Sequence, residues 1–358
     1  MTRVYIEEQG MPADLSPSLV FWPNYKFHLK ERRLFLRDIM APYQTPFFDI
    51  VSSIEDADFL AVPFEYFDVL DHYAPYLSSV YERAEKAGKK VLLFDYTDYV
   101  DRDSRLPAHA VLFRVSVYRH HKKENELVMP YFVEDFGKRF GMAPKKLSSP
   151  PIVGYCGYSG LGSMGRKIRA LGKRMGQSLK LHLAGDPLVP VHARGIFWRQ
   201  SALLSLRRAK GITPRIIERT FYSLFKADKV FDPARNRTEY IENMRDSDLS
   251  LCTRGDANAS QRFYETLSAG RIPLFLDTDC VLPLEEVLPY DHALIRVSWK
   301  KVRRLGEEAA RFANALTAED AFARASTAQD LYQSLRLDRY FRRVFDREKS
   351  PYADQLWG

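Results

Sequence analysis

No stretch of this chain approaches the roughly 18 consecutive apolar residues of a membrane-spanning helix, and its first residues do not read as a secretion signal. Cysteine is scarce: Cys156, Cys252 and Cys280 are three in 358 residues. An odd number, widely spaced and without a CxxC pair, argues against a disulfide framework and for buried thiols in a reducing compartment. There is no internal repeat and no low-complexity tract. No helix-turn-helix, zinc-finger or RNP-like aromatic pattern occurs, so nucleic-acid binding rests on charge alone as an alternative function. What is present is a globular composition, 46% apolar and 13% aromatic, on a chain long enough for two α/β domains with separate cores.

Charge is unevenly placed. Residues 1–150 hold 20 Lys/Arg against 22 Asp/Glu, whereas residues 151–358 hold 34 against 24, so the net +8 of the chain arises in its second half. A basic field of this kind suits an anionic ligand. Ala143 to Pro151, rich in proline, serine and lysine, reads as the linker. The expected division is 1–145, 151–335 and a terminal segment 336–358.

The second half is organised around Thr253 to Glu265. Asp248 to Cys252 before it is an apolar run of strand length. A short helix completed by Thr266 to Ala269 reads as capped by Asn258, with Gln261 three residues on closing a capping box and Gly270 in the left-handed position past its end. Ile272 to Leu276 starts the next strand. Strand, polar loop, helix and strand form the unit of a parallel sheet, and such loops sit where ligands bind. Arg254, Arg262, the amides around Gly255 and the helix dipole would seat a diphosphate. Glu265, on the same helix face as Arg262, would take the two hydroxyls of a ribose. An ordinary surface Arg–Glu pair is the plain alternative.

The second half opens with Ile152 to Cys156, a strand, followed by Gly160-x-Gly162-x-x-Gly165 and a basic helix from Arg166 to Met175. The glycines spell a dinucleotide fingerprint, with Asp186 about 20 residues on after Leu179 to Ala184. That leaves an NAD-dependent oxidoreductase as the second functional reading. The glycines begin beyond the strand end, however, and Arg166 and Arg169 supply cationic help that a dinucleotide loop does not need. A diphosphate seat built from the Gly160 and Gly162 amides and Arg166, or simple structural glycines, are the other readings.

Arg254-Gly255, Ser260-x-Arg262-x-x-Glu265-x-Leu267-x-x-Gly270-x-Ile272-Pro273, Asp279-x-x-x-Pro283 and Val287-Leu288-Pro289-Tyr290 resemble the exostosin family of glycosyltransferases. The chain departs from that pattern at Thr253, where the family has proline, and at Tyr290-Asp291. Looser likenesses lie in Ser53 to Phe64, with its Val-Pro-Phe strand end, in Lys90 to Tyr99 and in Leu127 to Tyr131. The resemblance implies a GT-B fold, two facing Rossmann-like domains with parallel sheets. It also implies transfer of a hexosyl or pentosyl group from a nucleotide sugar, expected to be a UDP-sugar, to a glycan or lipid-linked glycan hydroxyl with inversion. Arg254, Gly255, Ser260, Arg262 and Glu265 would then bind the donor with Gly160, Gly162 and Arg166. Animal and plant members usually carry an N-terminal membrane anchor, so a bacterial cytoplasmic form acting in polysaccharide synthesis is expected.

Direct displacement needs a base on the side opposite the donor. Asp98, after the strand Val91–Phe94, matches the acid of the family's strand-end motif. Glu65 follows the strand Phe59–Val62, which Pro63 would close, and is the second candidate; a turn-capping role is the alternative for Asp98. No metal cofactor is expected, because the central block lacks Asp-x-Asp and arginines with a helix N-terminus can neutralise a leaving diphosphate. Asp277 and Asp279 are the only candidates for a cation there. His120 and His121 read as surface histidines, since no third ligand lies nearby in sequence. Arg194 to Arg219 read largely as a solvated face, with Pro214 to Phe225 helical. Arg336 to Lys349 reads as a basic amphipathic helix that crosses back onto the first domain or, alternatively, lies on a membrane.

Overall fold

The runs Phe59–Glu65, Val91–Asp95 and Ala110–Arg114 are buried at every position except Glu65, as strands covered by helices on both faces must be. The computed structural model describes residues 1–25, 36–160, 164–220 and 232–358. In chain order its strands are β1 (Thr2–Tyr5), β2 (Phe48–Val51), β3 (Phe59–Glu65), β4 (Val91–Asp95), β5 (Ala110–Arg114) and β6 (Glu126–Val128). Then come β7 (Ile152–Tyr158), β8 (Thr213–Arg219), β9 (Leu249–Cys252), β10 (Ile272–Asp277) and β11 (Ile295–Ser298). They make a six-stranded sheet, β2-β1-β3-β4-β5-β6, and a five-stranded sheet, β11-β10-β9-β7-β8. The ladder pairs within both are parallel.

Counted within its own sheet, each unit runs 2-1-3-4-5, with β6 added to the first. That is a doubly wound order, which reverses between β1 and β3 and again between β7 and β9, and ligands bind at such reversals. Two such sheets are the GT-B layout. The segment between them is not slack. Buried Asp248 holds it, accepting hydrogen bonds from the Ser148 and Ile152 amides at 3.1 and 2.7 Å, with the Lys145 ammonium 3.0 Å away.

The chain ends on the first sheet, not the second. Leu337, Tyr340, Phe341 and Val344 on the helix Leu337–Val344 are each no more than 2% exposed and belong to the first sheet's core. The Phe341 ring lies 5.5 Å from Phe47, 5.4 Å from Phe48 and 5.9 Å from Phe113. Arg342 and Arg343 face outward. The apolar face that a membrane-surface helix would need is thus covered by protein. No described helix is long and apolar enough to cross a membrane.

Several local expectations give way. Pro63 does not close its strand: β3 continues to Glu65, with the pairing to β4 slipping between Ala61 and Glu65, a bulge that tolerates the missing amide donor. Thr213–Arg219, expected within a helix over Pro214 to Phe225, is the edge strand β8, where Pro214 is allowed because one side of the strand is unpaired. Residues 221–231 lie outside the described segments. The helix after β9 starts at Gln261 with Ser260 at its N-cap, not Asn258. Asn258 is buried, and its amide reaches the carbonyls of Val117, Thr278 and Asp279 at 3.3, 3.1 and 3.2 Å. Gly270 does hold a positive φ, 61°, as the helix stop.

Truncating Phe341 tests the return crossing. Phe341→Ala is expected to destabilise the protein by about 3–5 kcal/mol, the cost of emptying an aromatic site in a core, measured by urea unfolding; a loss below about 0.5 kcal/mol would mark a surface helix instead.

Candidate functional site

At the reversal of the second sheet, the end of β7 and the loop after β9 meet. Gly157 is what lets them meet: a Cβ built there would lie 2.7 Å from Arg262 Nη2. The guanidinium passes through that gap and donates to the Cys156 carbonyl at 2.5 Å. It lies over the Tyr155 ring at 4.3 Å and the Tyr240 ring at 5.4 Å. Stacked between two aromatic faces and shielded from bulk water, this cation keeps its charge; its pKa is raised, with Tyr240 and Tyr155 opposing the cost of burial. Its Nε has no hydrogen-bond partner among the described residues.

Three residues along the same helix, Glu265 accepts a hydrogen bond from the Tyr240 hydroxyl. Tyr240 therefore ties Arg262 and Glu265 into one unit. Ser260 and Gly255 border the same space. The loop between them closes on itself, the Gly255 amide donating to the Ala259 carbonyl at 3.0 Å. The helix beginning at Gly195 packs so closely on this loop that a Cβ at Gly195 would lie 2.1 Å from the Gly255 carbonyl. These residues line a cleft of about 540 Å³, to which the first sheet contributes Tyr96, Asp98, Tyr131 and Glu134.

Asp98 is the acidic group that the β4 end presents to this cleft. It is exposed to it and accepts a hydrogen bond from the Ala257 amide of the second sheet's loop. Desolvation, and then the charge of Asp256, raise its pKa above the ordinary aspartate value. Glu134 is buried and lies 2.8 Å from Arg139, with Arg237 close on its other side. Glu65 is placed differently. It does not border the cleft; it caps the helix Tyr66–His72 by accepting from the Asp68 amide at 2.9 Å. Burial, with Asp95 next, pushes its pKa up to about 8.

Arg254 also turns away from the cleft. It is 4% exposed and donates to the Tyr118 hydroxyl, to the Val191 carbonyl at 2.9 Å and to the Asp256 carbonyl at 2.7 Å. The cations that do border the cleft with Arg262 are Arg199, Arg219 and Arg237. Arg199 and Arg219 therefore leave the expected solvated face, whereas Arg194, Arg207, Arg208 and Arg215 are on it. The Gly160 amide donates to the Arg219 carbonyl at 3.2 Å, so it closes the β7 loop against β8. Gly162 and the Arg166 side chain lie outside the described residues. Leu179 to Leu183 belongs to the helix Met164–Leu183, so no strand leads to Asp186 as a dinucleotide fold requires. Asp186 instead meets three imidazoles. His120, His121, Asp186 and His192 offer ligand atoms all within 4.8 Å of one another, which corrects the reading that no third ligand lies near His120 and His121; His121 is exposed as expected and His120 is not.

Residues 203–311 match the model of the exostosin GT47 domain. Over that segment the chain is exostosin-like. No curated protein matches it significantly in sequence. Among solved structures it is similar to TarM, at 10% identity and a TM-score of 0.35, over 71% of this chain and 49% of that one. The chain thus spans about half the length of TarM. It is also similar to Anabaena HepE, solved in complex with UDP and glucose, at 11% identity and a TM-score of 0.36, over 93% and 95% of the two chains.

The matched segment of the exostosin-like chain contains Arg262, Glu265, Ser260 and Gly255, together with Arg219 and Tyr240. Tyr155, Arg199, Arg219 and Tyr240 were not singled out by sequence. A glycine two residues after a strand tyrosine was the signal for Tyr155 and Gly157; Tyr240 had none, because its partners lie 22 and 25 positions on.

Glu65 offers a pH test of its capping role in the exostosin-like chain. Its proton leaves the unfolded chain near the ordinary glutamate value of 4.5 but the folded chain only near about 8. The folded state therefore loses stability as pH rises through that window, at no more than about 1.4 kcal/mol per pH unit. Glu65→Gln keeps the capping oxygen and removes the titration. Its stability relative to the parent is expected to rise from pH 5 to pH 9 in chemical unfolding, and a pH-independent difference would show that the carboxyl is not desolvated.

Proposed function

We propose that the chain is a glycosyltransferase that moves a sugar from a UDP-sugar to a glycan hydroxyl with inversion, with the second sheet as donor side and the first as acceptor side. The observation that supports this best is one cleft carrying Arg262 and Glu265 on one wall and Asp98 on the other. Arg262, with the amides at the start of the helix Gln261–Ser268, would hold the diphosphate and its developing charge. Glu265 would receive the ribose hydroxyls, its position fixed by Tyr240. Gly255 and Ser260 would complete the seat.

In the reaction the acceptor oxygen bonds to the anomeric carbon as the bond from that carbon to the diphosphate oxygen breaks. The electron pair leaves with UDP, and the acceptor's proton goes to Asp98. An aspartate whose pKa is raised above the ordinary value is a better base than an ordinary one while still ionised. Because base and leaving group occupy opposite walls, attack comes from the far side and the configuration inverts. Arg199 adds positive potential around the leaving group.

UDP is expected to raise the thermal stability of the protein. Glu265→Ala should weaken UDP binding by roughly 1–3 kcal/mol, the scale of a charge-assisted hydrogen bond, read by calorimetry; unchanged affinity would remove Glu265 from the ribose. Asp98→Asn should lower transfer by about a hundredfold or more while leaving UDP affinity intact, assayed by UDP release over a panel of nucleotide sugars. Turnover that survives this substitution would place the base elsewhere.

A further inference from the structure

The four ligand atoms beside the seam between the sheets share a geometry that ordinary hydrogen bonding does not explain. Asp186 Oδ2 lies 3.0 Å from His121 Nε2, 3.1 Å from His192 Nε2 and 3.5 Å from His120 Nε2. Yet Asp186 Oδ2, His120 Nε2 and His192 Nε2 are all buried without a hydrogen-bond partner. The other nitrogen of each of those two rings has one. His192 Nδ1 lies 2.6 Å from Asp101 Oδ1, and His120 Nδ1 pairs with Asp279 Oδ2. A ring whose Nδ1–H goes to such a carboxylate presents an Nε2 lone pair on its other side, here toward Asp186 Oδ2. Lone pairs and a carboxylate repel unless a cation stands among them.

We propose that His120, His121, His192 and Asp186 bind a single divalent cation of the zinc class in a closed, tetrahedral site. Metal–ligand distances of about 2.0–2.2 Å in a tetrahedron put neighbouring ligand atoms roughly 3.3–3.6 Å apart, close to the three observed separations. Three imidazoles exclude magnesium and calcium, which take oxygen ligands, and suit a borderline ion. Each buried ring also has the carboxylate that a ligating histidine usually carries on its second nitrogen. Asp186 is itself held by its other oxygen, which accepts from the Leu188 amide at 2.7 Å.

The site is structural. Its four protein ligands leave no open position, and none of them borders the cleft. His120 and His121 follow β5 of the first sheet, whereas Asp186 and His192 lie between β7 and β8 of the second, so the cation clips one sheet to the other. Asp101, which orients His192, lies three residues beyond Asp98. Tyr118, whose ring is 4.3 Å from that of His192, receives Arg254. The clip therefore stands one layer behind the cleft and fixes the separation of its walls. This inference does not depend on the proposed reaction.

The test uses the full chain, stripped with a chelator, reloaded with one equivalent of zinc and passed through gel filtration. About one zinc per chain by mass spectrometry of the metal, and a higher melting temperature than the stripped protein, are expected. Cobalt in its place should give the intense visible absorption of a tetrahedral ion. His121 is 42% exposed, so His121→Ala should leave the melting temperature of the stripped protein unchanged while lowering zinc affinity at least tenfold. Asp101→Asn should lower it by roughly 10–100-fold. Failure of the parent chain to retain zinc, the weak spectrum of an octahedral cobalt ion, or parental zinc affinity in His121→Ala would each overturn the site.

Discussion

Two sheets that share no ladder are held at a fixed separation by contacts between their loops, and here a buried polar seam supplies them. Arg254 links the Tyr118 hydroxyl of the first sheet to the Val191 carbonyl of the second. Asn258 links the Val117 carbonyl to those of Thr278 and Asp279. One isolated bridge, Tyr118 to Cys280, runs between them. Each donor lost from such a seam and left unpaired would cost about 1–3 kcal/mol. The seam therefore has one good arrangement and no gradual slide, and the residues that face each other across the cleft inherit that definition.

The same logic shapes the cleft itself. An arginine free in water would have to be ordered when an anion arrives, and part of the attraction would go into that ordering. Arg262 is already ordered, threaded past Gly157 and stacked on two tyrosines. Its field acts where water is thin, so it is stronger than that of a surface cation. The nearby Glu134 carboxylate does not cancel it, because Glu134 has its own arginines.

How much of this could be read from residues alone follows from how local each feature is. The strand, loop, helix and strand around Arg262 are set by neighbours within a few positions, so the unit was legible, as was Gly270 at its end. The closely opposed Asp98 wall was legible as a strand end. Arg254 was not, because its side chain was free to go either way at a loop and the choice was made by Tyr118, 136 positions earlier. Asn258 failed similarly: its side chain suits an N-cap, but three carbonyls gathered by the fold outcompeted one amide. The histidine cluster failed for a sharper reason. Adjacent His120 and His121 would point apart on a strand, but they sit in the 3-10 turn Arg119–His121, which brings both rings to one side.

The return of residues 337–357 to the first sheet has a consequence for how the protein is made. During synthesis the first sheet emerges early, yet one face of it remains without Leu337, Tyr340, Phe341, Val344 and Phe345 until the second unit has also left the ribosome. At about 5–20 residues per second, that apolar face stays uncovered for many seconds. The nascent chain is therefore a ready client for chaperones that hold exposed apolar surface, and final closure of the first unit is the last event of folding rather than the first.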